Sequence, residues 1–164
     1  MNNKSSTIKI VVFGADNSGK TTLAKKLSEH FVAEYKHSLG PVCPEVMIDF
    51  MLTNLSSDES IVFDRLPIIE EAVCGKILRG VNKLDSVFDI PYLSLVDYFV
   101  FCCPPIDKVK EFGDREQMDG VKSNIEGLYF GYQKYAEYLT NMGFEVIKYD
   151  YTKDNFNKKF GGLK

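Results

Sequence analysis

Gly14-Ala15-Asp16-Asn17-Ser18-Gly19-Lys20-Thr21 fits the pattern G-x-x-x-x-G-K-[ST], and what flanks it decides the fold. Before it, Thr7–Phe13 (TIKIVVF) is rich in β-branched residues and reads as a buried strand. After it, Thr21–Phe31 (TTLAKKLSEHF) carries apolar residues at 23, 24, 27 and 31, the stripe of a helix. A strand, a glycine-bounded loop and a helix in that order form a cradle for phosphate. The glycines let backbone N–H groups wrap phosphate oxygens, and the helix adds the positive end of its dipole. The candidate nucleotide-binding residues are therefore Gly14, Asp16, Asn17, Ser18, Gly19, Lys20, Thr21 and Thr22. In such a loop Lys20 reaches the β- and γ-phosphates of ATP, and Thr21 holds Mg²⁺.

Outward from the loop, strands and helices alternate. Ala33–His37 reads as a short strand, Ser38–Pro44 as a turn-rich loop and Glu45–Leu55 as an amphipathic helix. Ser60–Phe63 (SIVF) is a short strand; Pro67 suits a helix first turn, with Ile68–Arg79 as the helix and Gly80 as its stop. Residues 81–95 read as irregular, Val96–Cys103 as a strand, Val121–Met142 as a long helix and Phe144–Tyr149 as the last strand. In the polar tail, Phe156 and Phe160 are spaced for a short packed helix. This alternation predicts an α/β fold with a mostly parallel sheet of about five strands, covered by helices on both faces.

The 164 residues suit one domain with a real core. No apolar run approaches the ~20 residues of a membrane span, and the N-terminus is not a signal peptide. The cytoplasm is the expected location. The four cysteines (43, 74, 102 and 103) lack the C-x-x-C spacing of a zinc site. A net charge of −3 favours a small phosphorylated ligand over a long nucleic acid. Among the 20 basic residues only Arg65, Arg79 and Arg115 are arginine. The arginine fork grips phosphate at two points, which lysine cannot do, so these three are candidates for phosphate handling.

Asp64-Arg65 follows the strand SIVF. If that strand lies parallel and next to the first, the pair ends beside the phosphate loop. There Asp64 could order Mg²⁺ or act as a base, and Arg65 could clamp a phosphate.

The loop GADNSGKTT resembles the phosphate loops of thymidylate kinases, and IVFDRLP resembles their D-R motif. The stretch DRLPIIEEAVCGKILRG is similar to small phage-type deoxynucleotide kinase-like proteins, as are HSLGP (37–41), FCCPP (101–105) and DREQMDGV (114–121). Two positions depart from that pattern: Cys74 replaces a tyrosine, and Glu70-Glu71 replaces Ser-Glu. The resemblance implies a P-loop NTPase three-layer sandwich of nucleoside monophosphate kinase type. It implies one domain, 1–164, with a lid near 106–120, and a phage-encoded enzyme would work in the host cytoplasm. Phosphoryl transfer from ATP to a deoxynucleoside monophosphate follows, a thymidylate-like pyrimidine first. A deoxynucleoside, or a 5-hydroxymethyl pyrimidine in DNA, is the alternative acceptor, and a non-catalytic NTP-binding switch is a further one. Lys20, Asp64, Arg65 and a lid arginine, Arg115, would carry catalysis; Thr21 and Asp64 would hold the metal. Thymidylate kinases often pair, so a homodimer through the long helix is within its scope.

Other residues leave alternatives open. Arg79 either points at an acceptor phosphate or pairs with its helix end. His37 either touches the acceptor or bonds to the backbone. Phe50 and Tyr92 are the candidate platforms for the acceptor base, whereas the aromatics of 121–142 suit core packing. Asn82-Lys83-Leu84-Asp85 matches the guanine-specifying N-K-x-D, but it follows a helix end and not a strand, so it reads as coincidence.

Overall fold

The computed structural model describes residues 7–84, 89–112 and 120–163. Five strands, β1 (Lys9–Phe13), β2 (Glu34–His37), β3 (Ile61–Asp64), β4 (Tyr98–Cys102) and β5 (Val146–Tyr149), form one sheet in the order β2-β3-β1-β4-β5. Every neighbouring pair is parallel. The central strand explains why both faces are covered. Val11 and Phe13 point into one core with Phe63, Phe99 and Phe101, while Ile10 and Val12 point into the other with Val62 and Val100. Residues that alternate between two apolar faces require helices on both sides.

The first core is closed by α2 (Pro44–Leu55), α3 (Pro67–Glu70) and α7 (Ile125–Asn141), through Met47, Met51, Ile69, Leu128 and Tyr132. The second is closed by α1 (Lys20–Phe31) and α8 (Phe156–Phe160), through Leu23, Leu27 and a fully buried Phe160. The expected tail helix is therefore present and anchored by the aromatic predicted to pack.

Three stretches differ from the sequence reading. Residues 81–95 contain a short helix, α5 (Asp89–Leu93). At five residues it is too short to show a period, and Pro91 is tolerated because it lies in the first turn. A second short helix, α6 (Ile106–Lys110), follows Pro104-Pro105. Finally, the helix after Pro67 is not uniform. Between α3 and α4 (Lys76–Arg79) lies a π-helical segment, Glu71–Gly75, and Gly80 ends the run at φ 71°. The extra residue in that turn is invisible to apolar periodicity, and such π segments are frequent at functional sites.

Parallel order and register bring the functional ends together. Asp64 is level with Val12 on one side and His37 on the other. In this order β2 and β3 lie on one side of β1 and β4 and β5 on the other, so the crevice beyond the strands' C-terminal ends opens where the phosphate loop emerges.

Candidate active site

The loop between β1 and α1 has the backbone its sequence demands. Gly14, at φ 146°, lies so close to β4 that a Cβ there would sit 2.6 Å from the Cys102 carbonyl oxygen. Gly19 is left-handed at φ 85° and begins α1 without any side-chain cap. The first N–H groups of the helix have no intrahelical partner. They are available to an anion, and the helix dipole favours one there.

Lys20 is buried, and its ammonium donates to the Ala15 carbonyl across the loop, 3.9 Å from Asp16. Burial pushes its pKa down; Arg65 pushes it further, while Asp16 and Glu70 oppose. Asp16 itself is pushed up by burial, but Lys20 and Arg65 outweigh this and hold its carboxyl below the ordinary aspartate range. The loop is thus a compact charge cluster before any ligand arrives.

Asp64 ends β3 at 0% exposure. Its Oδ2 accepts from Thr21 Oγ1 at 2.7 Å and from the Tyr35 hydroxyl at 2.8 Å, and His37 Nε2 stands 3.8 Å away. Burial and that bond to Asp64 push the Tyr35 phenol up to about 12. Asp64 Oδ1 is buried and finds no hydrogen-bond partner among the described residues. A buried carboxylate oxygen without a partner, next to a threonine hydroxyl, suits a hard cation that prefers oxygen ligands. Among the described residues no three His, Cys, Asp or Glu side chains are grouped to hold a metal by themselves. Thr21 and Asp64 would therefore hold Mg²⁺ with phosphate oxygens and water completing its shell.

Arg65 is non-glycine with φ 72°. Its guanidinium is gripped by Asp16 and, at 3.2 Å, by Glu70 Oε2. Burial lowers the pKa of Arg65, but Glu70 and Asp16 overcome this and raise it above the ordinary value. Arg79 pairs with Glu71, whose second oxygen accepts from the Lys83 N–H at 2.9 Å.

Two cavities flank the loop and share Asn17. The first, about 340 Å³, is lined by His37, Arg65, Glu70, Glu71, Cys74 and Arg79, among others. The second, about 300 Å³, lies between Thr22, Lys26, Phe112, Tyr149 and Tyr151. Gly19 closes against Tyr151, whose ring would be 3.1 Å from a Cβ at that position.

The structure thus brings Asp16, Asn17, His37, Arg65 and Arg79 together in the first cavity; Lys20 stands 3.9 Å from Asp16, and Asp64, bonded to Thr21, stands 3.8 Å from His37. His37 lines it while its Nδ1 bonds the Ser38 carbonyl at 2.7 Å. Arg79 lines it too, bound to Glu71. Phe50 does not: its ring meets Phe63 edge-on, 6.2 Å away, because α2 turns it toward the sheet. Tyr92 lines a separate apolar cavity with Ile48, Met51 and Leu84. Neither ring is positioned as an acceptor platform. Arg115, with residues 113–119 of the expected lid, lies outside the described residues, and Asp85 of the N-K-x-D match does as well. Sequence reasoning missed Tyr35, Glu70 and Tyr151. Only Glu70 carried a signal, as a departure from the resembled pattern.

No protein-family model and no curated protein matches the chain. Solved structures do. The YorR protein of Bacillus subtilis, solved with phosphorylated GDP, superposes with a TM-score of 0.68 at 16% identity, covering 88% of this chain and 86% of that one. Deoxyadenosine kinase from M. mycoides with bound dCTP gives 0.61 at 16% identity, covering 94% and 95%. Shikimate kinase from Acinetobacter baumannii with shikimate gives 0.56 at 13% identity, covering 92% and 85%. The chain has the fold of P-loop kinases. The finer resemblance to thymidylate kinases and phage-type proteins rests on the sequence motifs alone. No helix among the described residues is long and apolar enough to cross a membrane.

Proposed function

We propose that this protein is a kinase that transfers the γ-phosphoryl group of Mg·ATP to a deoxynucleotide-type acceptor. The observation that carries the reading is the pair of cavities meeting at Asn17, one on each side of the phosphate loop. A donor base fits the aromatic cavity of Phe112 and Tyr151, and an acceptor fits the cavity of His37, Arg65 and Cys74. The γ-phosphorus then lies between them, in line with an attacking oxygen. That oxygen bonds to phosphorus, the bond to the β–γ bridging oxygen breaks, and ADP leaves; a monophosphate oxygen attacks as the anion, whereas a nucleoside hydroxyl would pass its proton to Asp64 as base. Lys20, the α1 N–H groups and Arg65 face the charge that spreads over the transferred group. Mg²⁺ held by Thr21 and Asp64 would neutralise the β- and γ-oxygens. Arg115 is proposed to close on the same group from the lid, excluding water.

The sequence resemblance favours a deoxynucleoside monophosphate, thymidylate first, with Arg65 and Arg79 receiving its phosphate. One observation favours a deoxynucleoside instead. Both arginines of the acceptor cavity are already paired, and the three carboxylates there, Asp16, Glu70 and Glu71, outnumber them. A phosphate dianion would have to displace a carboxylate, whereas an uncharged sugar need not.

Initial rates with ATP and matched pairs, thymidine against thymidylate and the other deoxynucleosides against their monophosphates, test both readings. Transfer to the monophosphate with at least tenfold higher kcat/KM supports the first, and the reverse order supports the second. ATP binding without transfer to any of them would reduce the protein to a nucleotide-binding switch.

A further inference from the structure

Arg65 is held in a conformation that few side chains adopt, with φ 72°. Such backbone persists only where its surroundings impose it. Asp16 grips one arm of the guanidinium, and Glu70 Oε2 accepts from the other at 3.2 Å. Glu70 is the last residue of α3, where the helix passes into the π-helical segment. It is steadied from behind. The Tyr132 hydroxyl donates to its Oε1 at 2.7 Å, and Cys74 Sγ lies 3.0 Å from the same phenol oxygen.

The direction of each bond follows from the groups involved. A carboxylate between a guanidinium and a phenol only accepts. The phenol has one proton and gives it to Glu70, so the Cys74 thiol donates to the phenol oxygen at 3.0 Å, with Glu70 Oε2 a second, longer acceptor at 3.8 Å. The chain therefore runs from Cys74 to Tyr132 to Glu70, which also receives Arg65. Tyr132 sits on α7 at 1% exposure and lines neither cavity. Packing alone accounts for its ring, which lies 6.5 Å from Phe13. Packing does not account for a hydroxyl aimed at the carboxylate that orients the site's arginine.

We propose that Tyr132 is a positioning residue for phosphoryl transfer: acting through Glu70, its hydroxyl fixes the Arg65 guanidinium at the acceptor side of the phosphate loop. The proposal rests on the kinase reading only in giving Arg65 work to do.

Tyr132→Phe removes the hydroxyl and keeps the ring. Two readouts decide the matter, kinetics and hydrogen exchange at the Arg65 Nε–H. The exchange signal is tractable because the chain has three arginines, and Arg65→Lys assigns it. Loss of one charge-linked hydrogen bond predicts a fall in kcat of about five- to tenfold, with KM for ATP within about twofold. Arg65 exchange should quicken by a similar factor. Cys74→Ala should quicken the exchange by a smaller factor. Wild-type kcat per folded molecule together with unchanged Arg65 exchange would make Tyr132 a core residue and overturn the proposal. If the wild-type protein transfers phosphate to no acceptor, the kinase reading fails and the role in transfer falls with it, while exchange still decides whether Tyr132 orients Arg65 through Glu70: faster supports that, unchanged overturns it.

Discussion

Thr21 Oγ1 lies 2.7 Å from Asp64 Oδ2, so the first turn of α1 and the end of β3 share one carboxylate. The contact exists because β3 pairs directly with β1, level at Val12 and Asp64. The second oxygen of Asp64, Oδ1, is buried without a partner among the described residues. Asp64→Asn keeps the shape and removes the charge. The fold should survive, kcat should fall by about 10²–10³, and the Mg²⁺ concentration for half-maximal rate should rise. Steady-state rates over a Mg²⁺ titration measure both effects; an unchanged Mg²⁺ dependence would remove Asp64 from the metal site.

Arg65 combines strained backbone with a two-carboxylate grip, and substitutions can separate these. Arg65→Ala leaves Asp16 and Glu70 without their shared cation and keeps the left-handed strain, at a cost of about 2–3 kcal/mol. Arg65→Gly loses the same grip but adopts φ 72° freely, so it should be more stable than the alanine variant by up to about 1 kcal/mol. Urea unfolding of the two variants gives the order directly. Glycine less stable than alanine would mean that the backbone at 65 is not strained. Activity should be lost in both.

Tyr151 stands beside Gly19 in the aromatic cavity. If the donor base lies there, Tyr151→Ala should raise KM for ATP by about tenfold through lost stacking and leave KM for the acceptor within about twofold. A change confined to the acceptor KM would exchange the roles of the two cavities.

Asp16 makes stability depend on acid. Burial raises its pKa, but Lys20 and Arg65 outweigh burial and depress it in the folded protein. A carboxyl whose folded pKa lies below its unfolded value, near 3.9, stabilises the fold above that pH. That contribution is lost as pH falls through the depressed folded value. Urea midpoints from pH 6 to pH 3 should therefore fall more steeply in the wild-type protein than in Asp16→Asn. Parallel curves would show that Asp16 is not held by this cluster.

Thiol reactivity should separate the cysteines. Cys43 is exposed, whereas burial, then Glu70, push Cys74 up to about 12, and burial pushes Cys102 to about 12. At pH 8 iodoacetamide should modify Cys43 and spare Cys74 and Cys102, although Cys74 faces the acceptor cavity. Peptide mass mapping checks this.

Much of the fold was legible because long periodic segments and turn residues carried it. The strand Thr7–Phe13, its glycine loop and the helix after it were readable together, and Gly80 marked a true helix end. The π-helical segment at Glu71–Gly75 and the short helix at Asp89–Leu93 were not, since neither extends far enough to impose a period. In the site, Asp64 and Arg65 were readable from a motif next to a strand. Tyr35, Glu70 and Tyr132 were not, because their roles come from contacts across 29, 5 and 62 residues of sequence. Cys74, where the resembled proteins carry tyrosine, is instead met by the phenol of Tyr132 from another helix. Phe50 and Tyr92, aromatics near the site in sequence, pack against core residues and do not line the cavity of Arg65.

The most direct test follows the γ-phosphoryl group itself. The protein is incubated with Mg²⁺, γ-labelled ATP and the deoxynucleoside and monophosphate panel, and label in the acceptor products is counted for wild type and Lys20→Ala. The account predicts labelled acceptor with wild type and none above background with Lys20→Ala. Tight ATP binding with no labelled acceptor, or full transfer by Lys20→Ala, would contradict it.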